Sequence, residues 1–213
     1  KSVEELCERC GACFDLCPKK AIDPYEKTAG ELYVSTTRLG MTLVHAELVP
    51  GEDTSGKLVR KVRDRAESIA VKDSIIIVDA PPGIGCPVIA SISGSDLVIV
   101  VVEASSSGIR DAERLVKLVS SMKKKSVAII NKTGLSEDMD TLARTMIKDL
   151  SLPLAGEIPF NPALRSAEES GETWMSADSV ARHSVASALR AVKGVIDSLS
   201  VKSLITGVVQ ERT

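Results

Sequence analysis

Short apolar runs alternate with amphipathic segments between residues 74 and 159. Three of the runs have the length and the continuous apolar character of strands that are buried on both faces of a sheet. They are SIIIVD (74–79), DLVIVVVE (96–103) and SVAIIN (126–131). Apolar residues recur at helical spacing over 108–122 and 138–150, and a short strand is expected at 155–159. This alternation predicts an α/β fold, with a parallel sheet covered by helices on both faces.

The flanking segments predict further elements and a division into domains. Residues 31–49 are expected to form two short strands around Gly40, and residues 55–70 an amphipathic helix with Ser55 as its N-cap. A long final helix is expected over 176–199. The domain boundaries that follow are a cysteine-rich module at 1–30, an α/β domain at 31–205 and a tail at 206–213.

Polar or special residues follow three of the predicted strands. Asp79 ends the first buried run and is followed by Pro81, Pro82 and Gly83, whose amide is placed to approach a phosphate. A hydrophobic strand that ends in aspartate is the Walker B arrangement, in which the carboxylate holds Mg²⁺ beside a nucleotide. A strand-terminal Asp that caps a turn is the simpler alternative.

The other two strand ends suit the base of a nucleotide. Asn131 carries an amide that can both donate to and accept from a purine, although a turn residue is the simpler alternative. Pro159 and Phe160 end the last strand and are placed to flank a base. Ligands of parallel sheets bind at the carboxyl ends of the strands, so all three strand ends are expected at one edge.

Four cysteines stand close together near the start of the chain. They are Cys7, Cys10, Cys13 and Cys17, with Pro18 directly after the last. This C-x2-C-x2-C-x3-C-P spacing is that of bacterial ferredoxins, whose thiolates hold 4Fe-4S clusters. Disulfides and a zinc site are the alternatives, but zinc motifs usually divide their cysteines into two separated pairs. The run therefore predicts an iron–sulfur module.

The chain contains no second cysteine run of this kind. In two-cluster ferredoxins the fourth cysteine of a run binds the other cluster. Because the chain also opens on Lys1, within a charged segment, we interpret it as a fragment whose upstream part supplies the partner run. Cys17 would then bind the upstream cluster, while the first three cysteines share the other. Alternatively, a single cluster is completed by a distant cysteine, for which Cys86 is the candidate.

Composition narrows the possible partners. Aromatic residues make up 2% of the chain, which argues against base stacking on single-stranded nucleic acid. The net charge of -2 shows that the chain has no overall excess of basic residues for binding nucleic acid. No apolar run reaches the roughly 20 residues that a membrane span needs. We therefore expect no nucleic-acid and no membrane partner. The cysteine content of the chain is typical of a reducing compartment, so we expect the protein in the cytoplasm.

With these motifs, the chain resembles the MinD/Mrp group of deviant P-loop ATPases, in the subgroup that carries an inserted 4Fe-4S ferredoxin domain. The resemblance rests on the cysteine run, on LVHAELVPGEDTSGKLV (43–59), on residues 78–118, and on INK (130–132) with IPF (158–160). It implies that Asp79 is the magnesium-side catalytic aspartate and that Asn131, with Lys132 beside it, reads adenine. It also implies that Pro159 and Phe160 lie against the base, in a MinD/ParA-like domain that binds ATP with Mg as a homodimer.

One departure from the family pattern is the absence of its phosphate-binding loop, a lysine- and glycine-rich run upstream of the ferredoxin insert. Without that cradle of amides this chain alone is not expected to hydrolyse ATP. GEDTSGKL (51–58) fits G-x4-G-K but has Leu58 where Ser or Thr must reach Mg²⁺. A helix start is the better interpretation of this stretch.

Two functions remain open at this stage. The first is an iron–sulfur, ATP-binding protein whose ATP cycle is coupled to cluster assembly and transfer, or to electron transfer, with a client or redox protein as partner. The alternative is a non-hydrolysing electron-transfer module on a nucleotide-sensing or structural α/β platform. A positioning ATPase is the weakest candidate, because the last residues lack the length and charge contrast of a membrane-binding helix.

Overall fold

The computed structural model describes residues 11–25, 28–50, 52, 56–199 and 204–210. The chain forms two compact units, residues 1–69 and 70–213. The sequence predicts a boundary at residue 30, and the structure moves it to residue 69. The reason is that the two strands that follow residue 29 pair with each other and the second packs against the helix after it, so all three belong to the first unit.

The first unit is built on a β-hairpin and one long helix. Its elements are α1 (Ala12–Leu16), β1 (Gly30–Thr36), β2 (Thr42–Leu48) and α2 (Gly56–Ile69). The predicted pair of strands is confirmed: β1 and β2 are antiparallel, in register from Gly30 opposite Leu48 to Thr36 opposite Thr42. Gly30 is required there, because a Cβ at this position would lie 2.3 Å from the carbonyl oxygen of Glu47.

The second unit is a five-stranded parallel sheet with helices on both faces. Its strands are β3 (Ile76–Ala80), β4 (Leu97–Glu103), β5 (Lys125–Thr133), β6 (Leu154–Pro159) and β7 (Leu204–Gln210), in the spatial order β3-β7-β4-β5-β6. Its helices are α3 (Cys86–Ser93), α4 (Ser106–Ser121), α5 (Glu137–Asp149), α6 (Pro162–Glu169) and α7 (Ser179–Asp197), with a 3-10 turn at Trp174–Ser176. The predicted α/β class is confirmed.

Side-chain hydroxyl and carboxyl groups fix where these helices begin. Ser105 accepts a hydrogen bond from the amide of Gly108 at the start of α4, and Ser136 accepts one from Met139 at the start of α5. Asp178 does the same for α7 through the amide of Ala181. Such caps satisfy amides that have no partner inside the helix, so each helix leaves its strand at a defined residue.

Apolar side chains fill a core on each face of the sheet. On one face Val98, Val100 and Val102 of β4 pack with residues of α3, α4 and α5. On the other face Leu97 of β4 packs with β5 and with Val192 of α7. β4 is therefore buried on both sides, as its continuous apolar run predicts. No helix within the described ranges is long and apolar enough to cross a lipid bilayer.

Two expectations about the sheet are wrong. The run 74–79 was expected to be buried on both faces, but β3 is an edge strand in the described sheet, and Ile77 is 75% exposed. The supposed tail at 206–213 overlaps β7, which pairs with β3 on one side and with β4 on the other. Its β-branched residues suit a strand, and only its place near the end of the chain suggested a tail.

A pair of leucines on neighbouring helices tests the position of the core. Leu115 of α4 is fully buried, whereas Leu142 of α5 is 47% exposed. We expect Leu115→Ala to lower the free energy of unfolding by about 2–5 kcal/mol, because it removes buried contacts and leaves a cavity. Leu142→Ala should cost well under half as much. Urea denaturation of both variants measures this difference, and equal losses would contradict the assignment of α4 to the core.

Candidate nucleotide and iron–sulfur sites

Four of the predicted site residues lie together where β5 and β6 end. Asn131 is opposite Ile158 in the ladder, and Thr133 is opposite Pro159. Past the last ladder pair, the amide of Phe160 donates to the carbonyl oxygen of Thr133 at 2.8 Å. Asn131, Lys132, Pro159 and Phe160 therefore share one patch at the carboxyl edge of the sheet, the place where parallel sheets bind ligands.

Lys132 ties this patch to the end of β4. Its backbone has φ 60°, in the left-handed region, and the strand pairing is irregular between Asn131 and Thr133. The Lys132 Nζ lies 3.0 Å from Oε2 of Glu103, and the amide of Ala104 donates to the carbonyl oxygen of Asn131. Left-handed φ is uncommon outside glycine, so the turn after Asn131 holds a specific, strained shape.

Asp79 and Gly83 lie at the carboxyl end of the edge strand β3. Asp79 is the penultimate residue of β3, and it is exposed. Gly83 has φ 98°, a conformation that glycine adopts readily, and a Cβ added there would meet no atom within 4 Å. The loop leads into α3, which begins at Cys86 with Pro87 in its first turn. The space on the Cα side of Gly83 is therefore open.

The two halves of the predicted nucleotide site do not touch. β7 and β4 lie between β3 and β5, so three strand spacings, about 14 Å, separate the strand of Asp79 from that of Asn131. The register adds an offset along the strands, because Asp79 is level with Ile99 while Asn131 is level with Glu103. Only an extended ligand, with phosphates at one end and a base at the other, can contact both.

The cysteine run is represented by Cys13 and Cys17 in the described residues, and Cys7 and Cys10 fall outside them. Both described thiols are free, in or directly after the short helix α1. The Sγ of Cys17 accepts a hydrogen bond from the amide of Ala21, and the amides of Ala21 and Lys19 lower the pKa of this thiol. Amides that stabilise a thiolate fit a metal–sulfur ligand, so the donor set suits an iron–sulfur cluster.

Cys86 and the last residues of the G-x4-G-K stretch lie within the described residues. Cys86 is exposed and free at the start of α3. α2 begins at Gly56, with Lys57 and Leu58 in its first turn, as expected for a helix start. Gly51 and Ser55 fall outside the described residues, so the proposed Ser55 cap stays a prediction. Within the described ranges, no three Cys, His, Asp or Glu side chains converge as a metal site.

Comparisons with known proteins identify the small module. Residues 2–23 match the family model of the 4Fe-4S binding domain. This stretch of the chain is therefore similar to an iron–sulfur binding domain. That match includes all four cysteines of the run.

The chain has relatives in Methanocaldococcus jannaschii. One uncharacterized protein is 34% identical in an alignment of 159 residues, and the match covers 63% of this chain and 56% of that protein. Another, named as an uncharacterized ATP-binding protein, is 28% identical in an alignment of 129 residues, and the match covers 58% of this chain and 48% of that protein. The chain thus spans about half the length of the curated relatives it matches.

Solved structures show the fold. The MinD cell division protein of Aquifex aeolicus superposes with a TM-score of 0.58 at 24% identity, over 85% of this chain and 73% of that one. The MinD cell division ATPase of Pyrococcus furiosus gives 0.54 at 14% identity, over 66% of this chain and 59% of that one. The α/β unit therefore has a MinD-like fold, as the sequence resemblance implied.

Several residues that shape the edge were not found from the sequence. Glu103, which pairs with Lys132, is 29 residues away in the chain. Arg144 of α5 forms two 2.7 Å hydrogen bonds with the carboxylate of Glu157, next to Ile158 and Pro159. These bonds lower the pKa of Glu157. Both pairs join different elements, so no local sequence pattern signals them. Of the residues in these two pairs, only Glu103 has a recognisable place in the sequence, as the polar residue that ends a buried run.

The Arg144–Glu157 pair gives a pH-dependent contribution to stability. Because the pKa of Glu157 is lowered in the folded state, the pair stabilises the fold above the ordinary glutamate value of about 4.3. This stabilisation is lost as the pH falls through the lowered value. We therefore expect wild type to exceed Arg144→Gln in stability at pH 7, and the difference to shrink below about pH 4.

Urea unfolding at several pH values measures this difference. Arg165→Gln is the matched control, since Arg165 pairs with Glu169 on the exposed surface of a single helix, and such pairs contribute little. A wild-type advantage over Arg144→Gln that stays constant down to pH 2 would show that the charge on Glu157 does not stabilise β6.

Proposed function

We propose that this protein binds ATP with Mg²⁺ along the carboxyl edge of its sheet and couples the ATP cycle to an iron–sulfur cluster. The observation that carries the proposal is the grouping of Asn131, Lys132, Pro159 and Phe160 on the same edge as Asp79, in a chain with a 4Fe-4S binding domain. The MinD-like fold and the ATP-binding name of one relative support it.

The proposed nucleotide contacts divide between the two ends of the edge. Asn131 reads the adenine with its side-chain amide, while Pro159 and Phe160 lie against the base. Phe160 is 45% exposed, so its ring is available to a ligand. Lys132 keeps the turn in place through Glu103. At the other end, Asp79 holds Mg²⁺ through water and the amide of Gly83 approaches the terminal phosphate.

Cys7, Cys10, Cys13 and Cys17 are the proposed cluster ligands. The hydrogen bond from Ala21 lowers the pKa of the Cys17 thiol, which favours the thiolate form that binds iron. A bound 4Fe-4S cluster supplies one-electron chemistry or serves as cargo for a client protein. The proposal includes the division of the four thiolates between one cluster and two. Cys86 is the distant alternative ligand.

Hydrolysis is proposed for the intact protein as a homodimer, in the reducing cytoplasm. A second candidate is a non-hydrolysing nucleotide sensor that carries an electron-transfer module. It is favoured by one observation: the only G-x4-G-K run in the chain has Leu58 at the position where Mg²⁺ needs a hydroxyl. Turnover in the full-length protein separates the two candidates.

Iron and acid-labile sulfide analysis with electron paramagnetic resonance tests the cluster half of the proposal. We expect about eight irons per chain in anaerobically prepared full-length protein, with spin-coupled signals after reduction, if Cys17 serves a second cluster. Cys17→Ala should then disturb one of the two clusters, and Cys86→Ala, the matched control, should leave both intact. About four irons would place all ligands on one cluster. Zinc, or no metal, would contradict the iron–sulfur function.

Addition of ATP with Mg²⁺ to the same preparation tests the coupling. We expect the nucleotide to change the rate at which an iron chelator bleaches the cluster. Asp79→Asn should abolish this change, because the carboxylate that holds Mg²⁺ is gone. Bleaching rates that do not depend on the nucleotide would leave the cluster and the nucleotide site without a functional connection.

A further inference from the structure

The loop that follows Asn131 has an unusual backbone. Within residues 131–136, Lys132 has φ 60° and Gly134 has φ 88°, so two of three successive residues adopt left-handed conformations. A side chain costs energy in that region, and only the surrounding structure can hold it there. The question is therefore which group outside the loop fixes its shape.

Asp140, in the first turns of α5, contacts the loop directly. The residue is buried, with only 6% of its surface accessible. Its Oδ2 accepts a hydrogen bond from the amide of Gly134 at 2.8 Å. Its Oδ1 is also buried and accepts no hydrogen bond from the part of the chain that the structure describes. The Gly134 amide is thus the one hydrogen-bond donor that the described residues bring to this carboxylate.

The stability of the fold does not by itself explain a carboxylate in this position. Burying a charged group with few partners is costly, and an apolar residue on the same face of α5 would pack better. That face already has such residues, Ala143 and Ile147, in the main core. The charge of Arg144 interacts with Asp140, but that guanidinium is engaged by Glu157. Asp140 instead holds Gly134 in one position.

The held loop is connected to the other base-contacting segment. Thr133, next to Gly134, is buried, and its carbonyl oxygen accepts the amide of Phe160. A displacement of Gly134 would therefore be transmitted to Thr133 and, through that hydrogen bond, to the Pro159–Phe160 segment. Both sides of the proposed base site depend on one buried carboxylate.

We propose that Asp140 is a positioning residue for base recognition, which holds the 131–136 loop so that Asn131 and Phe160 face the purine together. This inference rests on the proposed nucleotide function. Asp140 does not itself touch the base in this account. It makes the selection of adenine over guanine depend on a residue outside the site.

The test compares three variants of the full-length protein. Asp140→Ala removes the acceptor, whereas Asp140→Asn keeps an oxygen for the Gly134 amide. Ala143→Gly is the control, since it weakens α5 at a buried residue of the main core and leaves the Asp140 carboxylate in place. Hydrogen exchange of the Gly134 amide, by NMR, reports the hydrogen bond without any nucleotide. Titration calorimetry with ATP and with GTP, each with Mg²⁺, reports the discrimination between bases.

Support would be a specific pattern of results. In Asp140→Ala we expect Gly134 exchange to rise about tenfold or more, and the ATP preference over GTP to fall by at least about fivefold. Asp140→Asn should keep both near wild type. Ala143→Gly should lower the melting temperature and leave the preference unchanged.

Two other patterns would overturn the inference, and they are distinguishable. Faster Gly134 exchange with an unchanged ATP preference would show that the loop does not govern base selection, while the proposed nucleotide function stands. A wild-type protein that binds neither nucleotide, or both equally, would end the proposed adenine site and this inference with it. If Asp140→Ala does not fold, Gly134→Ala decides, because it strains the same loop at φ 88° without a steric clash. An unchanged preference in that variant would also overturn the inference.

Discussion

The burial of β4 on both faces is the constraint on which the second unit depends. Leu97, Val98, Val100 and Val102 are all fully buried, so the sheet needs helices on each side of it. Parallel neighbours connected by those helices leave all strand carboxyl ends on one edge. Polar residues that cannot enter the core collect there, which places Asp79 and Asn131 on one edge although 52 residues separate them in the sequence.

Much of this arrangement could be predicted, because the period of apolar residues determines strands and helices locally. The runs 96–103 and 126–131 were recognised as buried strands since every position in them tolerates an apolar surrounding. The run 74–79 has the same composition but forms an edge strand with Ile77 exposed. A strand's position in a sheet depends on pairing with distant segments, so the local pattern could not show it. For the same reason the local pattern does not predict β7, and residues 206–213 resemble a tail.

The candidate sites divide in the same way. Residue types at strand ends and the spacing of the cysteines are local features, and they predict Asp79, Asn131 and the proposed cluster ligands. The contacts that shape the edge were not accessible, because Glu103 with Lys132, and Arg144 with Glu157, join elements far apart in sequence. Asp140 was visible only as an acidic residue near a helix start. Its burial and its hydrogen bond to Gly134 depend on how the loop folds back.

Hydrogen–deuterium exchange of the full-length protein, with and without ATP and Mg²⁺, tests the central claim that this edge binds the nucleotide. We predict slower exchange in three segments, residues 79–85, 130–136 and 157–161, and no change in the hairpin at residues 30–48. Protection that appears at residues 51–58, with none at the three strand ends, would contradict the claim. It would place the phosphates at the G-x4-G-K run and leave Asn131 and Phe160 as structural residues.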